Sequence, residues 1–381
     1  MSFILTEEQE ELLALVRKFS EKEILPYAHQ MDVEAHFVPG LIQKIADLGF
    51  MGINVPEEYG GVGADEVTKA LVIMEFAKYD ASVAELLAVH TLSSDIILKH
   101  GTPEQKEKYL TKACTGAVGA FALTEPNAGS DAAAAKTKAI SQGDEYIING
   151  SKCFISNMGQ DEGDYVILIV LTDPEKKTKG MSAIIVDRDT PGFTVPKTED
   201  KMGLRAAPVS ELYFDECHVP KSQLLGEEGK GFAIAIAGLD GGRIGMASQA
   251  VGLAESCIAE SVEYSTQRVQ FGKPVNANQG LQWYLADMAT KTEAAKALTL
   301  NAAALRQAGK NITKEAAMAK YYASETAVEV ANKALQIHGG YGYMKEYAIE
   351  RQYRDARIIP IYEGTSEVQK MVISRAVING K

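Results

Sequence analysis

The stretch Ile147-Ile148-Asn149-Gly150-Ser151-Lys152-Cys153-Phe154-Ile155 decides the fold class, because it favours strands in a chain otherwise patterned for helices. Asn-Gly accepts the positive backbone dihedrals of a type I′ turn, so the stretch predicts a β-hairpin. Short β-rich runs follow at residues 165–171, 181–186, 192–195 and 211–214, separated by turns. The sequence therefore predicts a compact β domain, built as a small barrel or sandwich.

Helical patterns lie on both sides of this β domain. Thr6-Glu7-Glu8-Gln9 and Thr102-Pro103-Glu104-Gln105 are capping-box sequences, each followed by apolar residues at helical spacing. After residues 226–231 the helical period returns in three long stretches and a shorter C-terminal one, which suggests an antiparallel bundle. We expect a helical domain at 1–119, a β domain at 120–228 and a helical bundle at 229–381.

Composition narrows the class of protein. The chain has 381 residues and a formal charge of -12, which argues against nucleic acid because phosphate binding needs a basic surface. It contains no run of about 18 apolar residues, so we expect no membrane span. Four scattered cysteines fit reduced thiols in the cytoplasm, and six unclustered histidines predict no metal site.

A candidate catalytic carboxylate lies near the C-terminus, in Ile361-Tyr362-Glu363-Gly364-Thr365-Ser366-Glu367. The residues from 359 to 362 are uncharged, and such surroundings desolvate a carboxylate and raise its pKa toward the range useful for a general base. Gly364 lets the backbone come close to whatever Glu363 acts on. The alternative, a solvated loop glutamate, is the commoner fate of a glutamate.

A second stretch, Phe121-Ala122-Leu123-Thr124-Glu125-Pro126-Asn127-Ala128-Gly129-Ser130-Asp131, opens the β domain. It carries backbone donors and hydroxyls in a short turn, a composition that is common in turns of every kind. Neither a G-x-G-x-x-G fingerprint nor a Walker A loop is present in the sequence.

Together with residues 154–157 (Phe-Ile-Ser-Asn), 268–273 (Arg-Val-Gln-Phe-Gly-Lys) and 361–365, this stretch resembles the acyl-CoA dehydrogenase family. The resemblance covers essentially the whole chain, keeps the order of the motifs and is strongest to the bacterial short-chain, butyryl-CoA type. It implies an α+β fold that is mostly α: an N-terminal helical domain, a middle β-barrel domain, and a C-terminal four-helix bundle that carries the catalytic glutamate.

The resemblance also implies a bound FAD and a set of residues around it. Residues matching contacts to the flavin side of FAD are Phe121, Leu123, Thr124, Gly129, Ser130, Phe154 and Ser156. Residues matching contacts to the FAD of a neighbouring subunit are Arg268, Phe271, Gln279, Gln336, Gly339 and Gly340. Residues matching positions near the FAD diphosphate and ribose are Thr365, Ser366 and Glu367. Matches to substrate-binding positions are Ser130, Asp240, Arg243 and Gly364.

The activity implied is α,β-dehydrogenation of a short acyl-CoA to a trans-2-enoyl-CoA, with Glu363 as the base. Some relatives carry the base near Gly242 instead, but that position is glycine here. Electron-transfer flavoprotein is the implied redox partner, and the implied assembly is a homotetramer, built as a dimer of dimers. The sequence departs from the family at Asn157-Met158-Gly159, where relatives have Asn-Gly-Gly.

Three alternatives remain open at this point. The first is an enoyl-CoA reductase in an electron-bifurcating complex, with an aryl-acryloyl substrate such as caffeyl-CoA. The second is a catalytically silent member acting as a binding module, which the negative charge and the presence of Glu363 disfavour. The third is an oxidase, which the length of the chain disfavours.

Overall fold

The computed structural model describes residues 4–380, and residues 1–3 and 381 of the two outer predicted domains lie outside that range. Six helices come first in the chain: α1 (Glu7–Glu23), α2 (Ala28–Glu34), α3 (Leu41–Asp47), α4 (Glu66–Ala77), α5 (Ala81–His100) and α6 (Pro103–Cys114). Both predicted capping boxes are confirmed. The side chains of Thr6 and Thr102 accept from the backbone of Gln9 and Gln105, whose side chains accept in return.

Eight strands follow: β1 (Gly119–Ala122), β2 (Lys138–Gln142), β3 (Glu145–Ser156), β4 (Tyr165–Leu171), β5 (Met181–Asp187), β6 (Phe193–Thr194), β7 (Val209–Pro220) and β8 (Leu224–Leu225). They form one sheet in the order β6-β7-β3-β2-β4-β5-β8, and β1 pairs in parallel with β4. Alternate residues of β4 belong to two different apolar clusters, so the middle of the sheet is buried on both faces.

The hairpin predicted at Asn149-Gly150 is wrong. Both residues lie inside the continuous strand β3, and the hairpin turn is Gly143-Asp144, between the paired residues Gln142 and Glu145. The pairing of β3 with β7 shifts register between residues 148 and 150, which marks a bulge. A Cβ at position 150 would lie 2.7 Å from Oγ1 of Thr137, so the glycine serves a close approach between strands.

The remainder of the chain is helical apart from a short hairpin. The elements are α7 (Gly231–Gln267), β9 (Val269–Gln270), β10 (Lys273–Pro274), α8 (Gln279–Gln307), α9 (Thr313–His338), α10 (Ala348–Ala356) and α11 (Ser366–Ile378). Helices α7, α8 and α9 pack on one another, and α11 packs on α9. The largest apolar cluster runs from α1, α4 and α5 into α7, α8 and α9, so both helical regions share one core.

A buried charge cluster joins three of these helices. Asp95 of α5 accepts from Lys69 of α4 and from Arg306 of α8, each at 2.9 Å. Burial alone would raise the pKa of Asp95, but the two neighbouring cations hold it well below its usual range. By length and composition α5 is also the one described helix that could cross a membrane, yet 94% of that window is buried inside the protein.

Candidate active site

Glu363 lies in the turn between α10 and α11, where two successive residues have positive φ: 52° at Glu363 and 91° at Gly364. Side chains from two helices hold this turn. Lys320 of α9 donates to the carbonyl oxygen of Gly364 at 2.8 Å, and Gln369 of α11 donates to the carbonyl oxygens of Glu363 and Gly364. The backbone N–H of Glu363 has no hydrogen-bond partner among residues 4–380.

Glu363 is partly buried, and one oxygen of its carboxyl group is enclosed by the protein. Its Oε2 is shielded from solvent and has no hydrogen-bond partner within the described chain. Burial raises the pKa of Glu363 to about 7, while the charges of Arg243 and Lys320 act in the opposite direction. Burial of Lys320 lowers the pKa of that lysine to about 8, although the charge of Glu363 acts to raise it. A carboxyl group with such a pKa can accept a proton near neutrality, as the sequence predicts for a general base.

Gly242 of α7 provides the space that Glu363 occupies. A Cβ at position 242 would lie 2.8 Å from Oε2 of Glu363 and 3.5 Å from a methyl group of Leu92. One turn of α7 therefore has no room for a side chain opposite the carboxyl group. A side chain at position 242 and the carboxyl group of Glu363 would therefore compete for the same space.

Arg243, next to this glycine, is only 4% exposed. It donates to Asp240 through Nη1 at 2.5 Å, and in the part of the chain that the structure describes its buried Nε is unpaired. Asp240 also accepts from the hydroxyl of Thr313 at 2.7 Å. Two of the four predicted substrate-binding residues, Asp240 and Arg243, are thus paired with each other. A third, Gly364, directly follows Glu363 in the chain.

The predicted flavin contacts on the β domain lie on two neighbouring segments. Phe121 of β1 is half-buried, and the loop after β1 carries the buried Leu123, the half-buried Thr124, and Gly129 and Ser130 at the surface. On β3, Phe154 has a φ of 58° and presents 73% of its surface, and Ser156 donates to the carboxylate of Glu85 at 2.7 Å. A buried ion pair ties the two segments, because Lys152 contacts Glu125 at 2.8 Å and the carbonyl oxygen of Leu123 at 3.0 Å.

The residues predicted to contact a neighbouring subunit's FAD lie together only in part. Arg268, Gly339 and Gly340 line an open cavity of about 490 Å³, with Cζ of Arg268 5.2 Å from the ring centre of Tyr341. Gln336 and Gln279 are exposed beyond this cavity, and Phe271 is 100% exposed. Such a surface is open to a second molecule.

The third predicted group is the start of α11. Thr365 caps the helix by accepting from the N–H of Val368, Ser366 donates to Glu325, and Glu367 is exposed in the first turn. No group of three or more His, Cys, Asp or Glu side chains that could hold a metal ion occurs within 4–380.

Two side chains that hold the turn at Glu363, Lys320 and Gln369, are not identified by the sequence patterns, and neither is the contact of Glu85 with Ser156. Glu85 and Lys320 are charged residues within apolar or alanine-rich helical runs, and both are buried, at 2% and 0% exposure. A charge inside such a run is the only local signal, because a buried charge needs a specific reason.

Comparisons with known proteins agree with this arrangement. Models of the N-terminal, middle and C-terminal domains of acyl-CoA dehydrogenase match residues 6–117, 120–217 and 229–378. The chain is 53% identical to acryloyl-CoA reductase (NADH) of Anaerotignum propionicum, over 99% of this chain and 96% of that one.

Two solved structures are also similar over nearly the whole chain. The butyryl-CoA dehydrogenase of Megasphaera elsdenii is 46% identical, with a TM-score of 0.96, and the match covers 99% of this chain and 100% of that one. A chain solved in work on the electron transferring flavoprotein of Acidaminococcus fermentans and flavin-based electron bifurcation is also 46% identical. Its TM-score is 0.97, with the same coverage.

Proposed function

Because the chain belongs to the acyl-CoA dehydrogenase family, we propose that it is an FAD-dependent enzyme that dehydrogenates a short acyl-CoA, such as butyryl-CoA, to its trans-2-enoyl-CoA. The observation that carries this proposal is the enclosed, unpaired carboxyl oxygen of Glu363 opposite the glycine at position 242. The similarity to butyryl-CoA dehydrogenase supports the short acyl group.

The residues present fit an FAD. Phe154 offers an exposed flat apolar face beside the hydroxyl of Ser156, and a Cβ at Gly129 would meet no described atom within 4 Å. Thr124, Ser130, Phe121 and Leu123 would hold the flavin side. Arg268, Phe271, Gln279, Gln336, Gly339 and Gly340 would hold the dinucleotide of a second subunit, and Thr365, Ser366 and Glu367 the diphosphate and ribose. When bound, FAD supplies the acceptor for the hydride from the β-carbon.

Glu363 takes the α-proton of the thioester. A thioester α-hydrogen is a weak acid, so two conditions must be met: the base must be desolvated and the thioester oxygen must be stabilised. Burial of Glu363 meets the first condition. The unpaired N–H of Glu363 can donate to the thioester oxygen, since the positive φ values at 363 and 364 leave that N–H outside any turn hydrogen bond.

Cationic groups on two helices stabilise the ionised base. Arg243 and Lys320 both lower the pKa of Glu363, which keeps a fraction of it ionised at neutral pH. Ser130, Asp240, Arg243 and Gly364 would contact the acyl-CoA. Asp240 also holds the guanidinium of Arg243 in place.

Assembly and partners belong to the same proposal. The open cavity at Arg268 and the exposed Phe271 support a homotetramer of two dimers with four FAD. Electron-transfer flavoprotein would be the redox partner, as the similarity to the A. fermentans chain suggests. We place the enzyme in the cytoplasm, with domains at 1–119, 120–228 and 229–381.

A second candidate function is the reverse reaction, reduction of an enoyl-CoA. The 53% identity to an acryloyl-CoA reductase favours it. The same residues serve both directions, because a protonated Glu363 returns the proton to the α-carbon. The two functions differ in which molecule reduces the flavin: the acyl-CoA in dehydrogenation, and a redox partner in the reverse reaction.

The test is the visible spectrum of purified protein followed by anaerobic mixing with acyl-CoAs of four to twelve carbons. We expect a flavin spectrum that bleaches fastest with butyryl-CoA. Chemically reduced enzyme mixed with acryloyl-CoA, crotonyl-CoA and an aryl-acryloyl-CoA measures the reverse direction. A protein without flavin, or a maximum at eight or more carbons, would refute the short-chain proposal.

A further inference from the structure

Glu85 of α5 connects the helical core to the proposed flavin surface. Its Oε1 accepts from the hydroxyl of Ser156, the last residue of β3, at 2.7 Å. The carbonyl oxygen of Leu86, the next residue of α5, accepts from Nδ2 of Asn157, the next residue after β3, at 3.0 Å. These two adjacent hydrogen bonds fix the position of the Glu85 carboxyl group relative to the end of the strand.

The hydroxyl of Ser156 belongs to the open face of β3. Phe154 is 73% exposed and Ser156 is half-buried, whereas Ile155 between them is buried. Residues two apart on a strand share a face, so Phe154 and Ser156 lie on the face that is proposed to contact the flavin ring. The carboxyl group of Glu85 is therefore one hydrogen bond away from that surface.

The environment of Glu85 supports a carboxylate poorly. The residue is 2% exposed, and in residues 4–380 its Oε2 has no hydrogen-bond partner. Burial raises the pKa of Glu85 to about 7, while Ser156 and Lys201 act to lower it and the charge of Glu363 acts to raise it. Near neutral pH, one more negative charge close by is enough to protonate such a group.

The charged and titratable groups that face Glu85 come from the elements packed around it. Lys201 lies on the loop before β7, and Glu363 lies in the turn before α11. The phenol of Tyr362 lies beside Glu363, and burial and then the charge of Glu85 raise the pKa of this phenol. On α7, Arg243 acts on Glu363. A reduced flavin would add a further charge on the β3 side.

Protonation of Glu85 would reverse its hydrogen bond with Ser156. A serine hydroxyl has one donor and two acceptor positions, and a carboxylate only accepts, so ionised Glu85 takes the one donor of Ser156. A protonated carboxyl group has a donor of its own and can donate to the serine oxygen instead. The hydroxyl of Ser156 can then donate toward the flavin.

We propose that Glu85 takes up a proton when the flavin is reduced, and that it acts on the flavin as a positioning residue through the hydroxyl of Ser156. This inference rests on the proposed function and adds to it a second proton site beside Glu363.

The proton and electron count of this change is complete. FAD gains two electrons and one proton, which together are the hydride that the acyl-CoA supplies in turnover, and it then carries one negative charge. The carboxylate of Glu85 gains one proton from solvent and becomes neutral. Glu363 keeps the α-proton, so the proton on Glu85 is additional to the two hydrogens taken from the substrate.

The experiment measures the reduction potential of the bound flavin from pH 6 to pH 9, by anaerobic titration with a chemical reductant and without acyl-CoA. The parent is Glu363→Gln, because the base itself would titrate in the same range. It is compared with Glu363→Gln/Glu85→Gln and Glu363→Gln/Ser156→Ala. Proton uptake on reduction, followed with a pH indicator, is a second readout, and neither readout requires turnover.

In the parent we expect more than one proton per two electrons above about pH 7, where Glu85 is ionised before reduction. With glutamine at position 85 we expect one proton at every pH. The potential should then match the parent at pH 6 and exceed it by about 30 mV or more at pH 9, which is a tenfold change in the equilibrium of a two-electron couple.

Ser156→Ala tests the route even if the glutamine variant at position 85 fails to fold. Because the hydroxyl of Ser156 stabilises the carboxylate of Glu85, its removal should move the range of extra proton uptake to higher pH. The control is Glu75→Gln in the same parent. Glu75 is a buried carboxylate of α4 paired with Arg17 and Lys78, and its substitution should leave the potentials unchanged.

Identical potentials and proton uptake with glutamate and glutamine at position 85, flavin being bound in both, would overturn this inference and leave the proposed function intact. The same rise in potential in the Glu75 variant, or a range that does not move in the Ser156 variant, would overturn it too. A wild-type protein that binds no flavin, or whose flavin no acyl-CoA bleaches, would overturn the proposed function itself.

Discussion

Glu363 is the single side chain on which the proposed reaction depends. We expect Glu363→Gln to fold, stay yellow and bind acyl-CoA, but to lose nearly all dehydrogenation, because the amide cannot take the α-proton. Anaerobic bleaching by butyryl-CoA measures the loss. A variant that keeps its rate within about tenfold, only some 1.4 kcal/mol of barrier, would contradict the assignment.

The same substitution should change the pH dependence of stability. The folded protein holds the pKa of Glu363 at about 7, above its unfolded value. The native state thus binds more protons between these two values, and stability falls as pH rises through that window. At pH 8 we expect Glu363→Gln to exceed wild type by on the order of 3 kcal/mol in free energy of unfolding, and at pH 4.5 to lie close to it. Urea titrations at the two pH values check this, and an equal difference at both would contradict it.

We expect a substitution at Gly242 to lower the reaction rate strongly and to change the free energy of unfolding little. In Gly242→Ala, the new methyl group would stand 2.8 Å from Oε2 of Glu363, a flexible side-chain end that can move aside. We therefore expect kcat/KM to fall by about tenfold or more while the free energy of unfolding changes by less than about 1 kcal/mol. Gly280→Ala on α8 is the matched control, since a Cβ there meets no described atom within 4 Å. Equal rates for both variants would show that Glu363 does not need this space.

At the scale of elements, the ion pair between β3 and the loop after β1 positions the proposed flavin surface. Lys152 is fully buried. Burial of Glu125 acts to raise its pKa, but the charge of Lys152 outweighs this effect and the pKa of Glu125 is lowered. Lys152→Met would leave a buried carboxylate without its cation, at a cost of about 3–5 kcal/mol. We expect a lower denaturation midpoint and loss of FAD on gel filtration.

The control for this variant is Lys108→Met, which breaks the more exposed pair with Asp187. An exposed pair contributes at most about 1 kcal/mol, so this variant should stay close to wild type in stability and flavin content. Equal stability losses in the two variants would show that burial of the Lys152 pair has no special effect.

Local signals predict the beginnings of elements well. The capping boxes at Thr6 and Thr102 are confirmed because donor and acceptor lie within three residues of each other. Asn149-Gly150 misleads, because the reason for its glycine is the close approach of Thr137, just before the neighbouring strand β2, rather than a turn. The sequence around such a residue cannot distinguish a turn from a close approach between strands.

In the candidate site, too, some residues can be predicted from the local sequence and others cannot. Glu363 can be nominated from its neighbours in sequence, since the uncharged run before it and Gly364 after it are adjacent. Its other surroundings, Gly242, Lys320 and Gln369, come from three different helices and meet only through packing. Glu85 reaches the site across an even larger gap in sequence, by its hydrogen bond to Ser156.

At the scale of the whole molecule, the exposed apolar surface around β9 and β10 predicts assembly. Phe271, next in sequence to Gln270 of the cavity that contains Arg268, is 100% exposed, and Trp283 of α8 is 61% exposed. We expect light scattering to give the mass of four chains, and Phe271→Asp to lower that mass without loss of folding, because the side chain is entirely exposed. Ile140→Asp, at an exposed position on β2, is the control. A mass of one 41.2 kDa chain with FAD still bound would contradict the prediction.

The burial of α5 has a consequence for synthesis on the ribosome. This helix is apolar enough to resemble a membrane span, and its inner face is covered by α7, which begins more than a hundred residues later at Gly231. At roughly 5–20 residues per second, the face of α5 that α7 covers stays exposed in the nascent chain for on the order of ten seconds. During that interval the residues that later border the site form an exposed apolar surface to which chaperones and membrane-targeting factors can bind. The order of the elements along the chain therefore makes this protein most vulnerable to misdirection before its bundle has emerged.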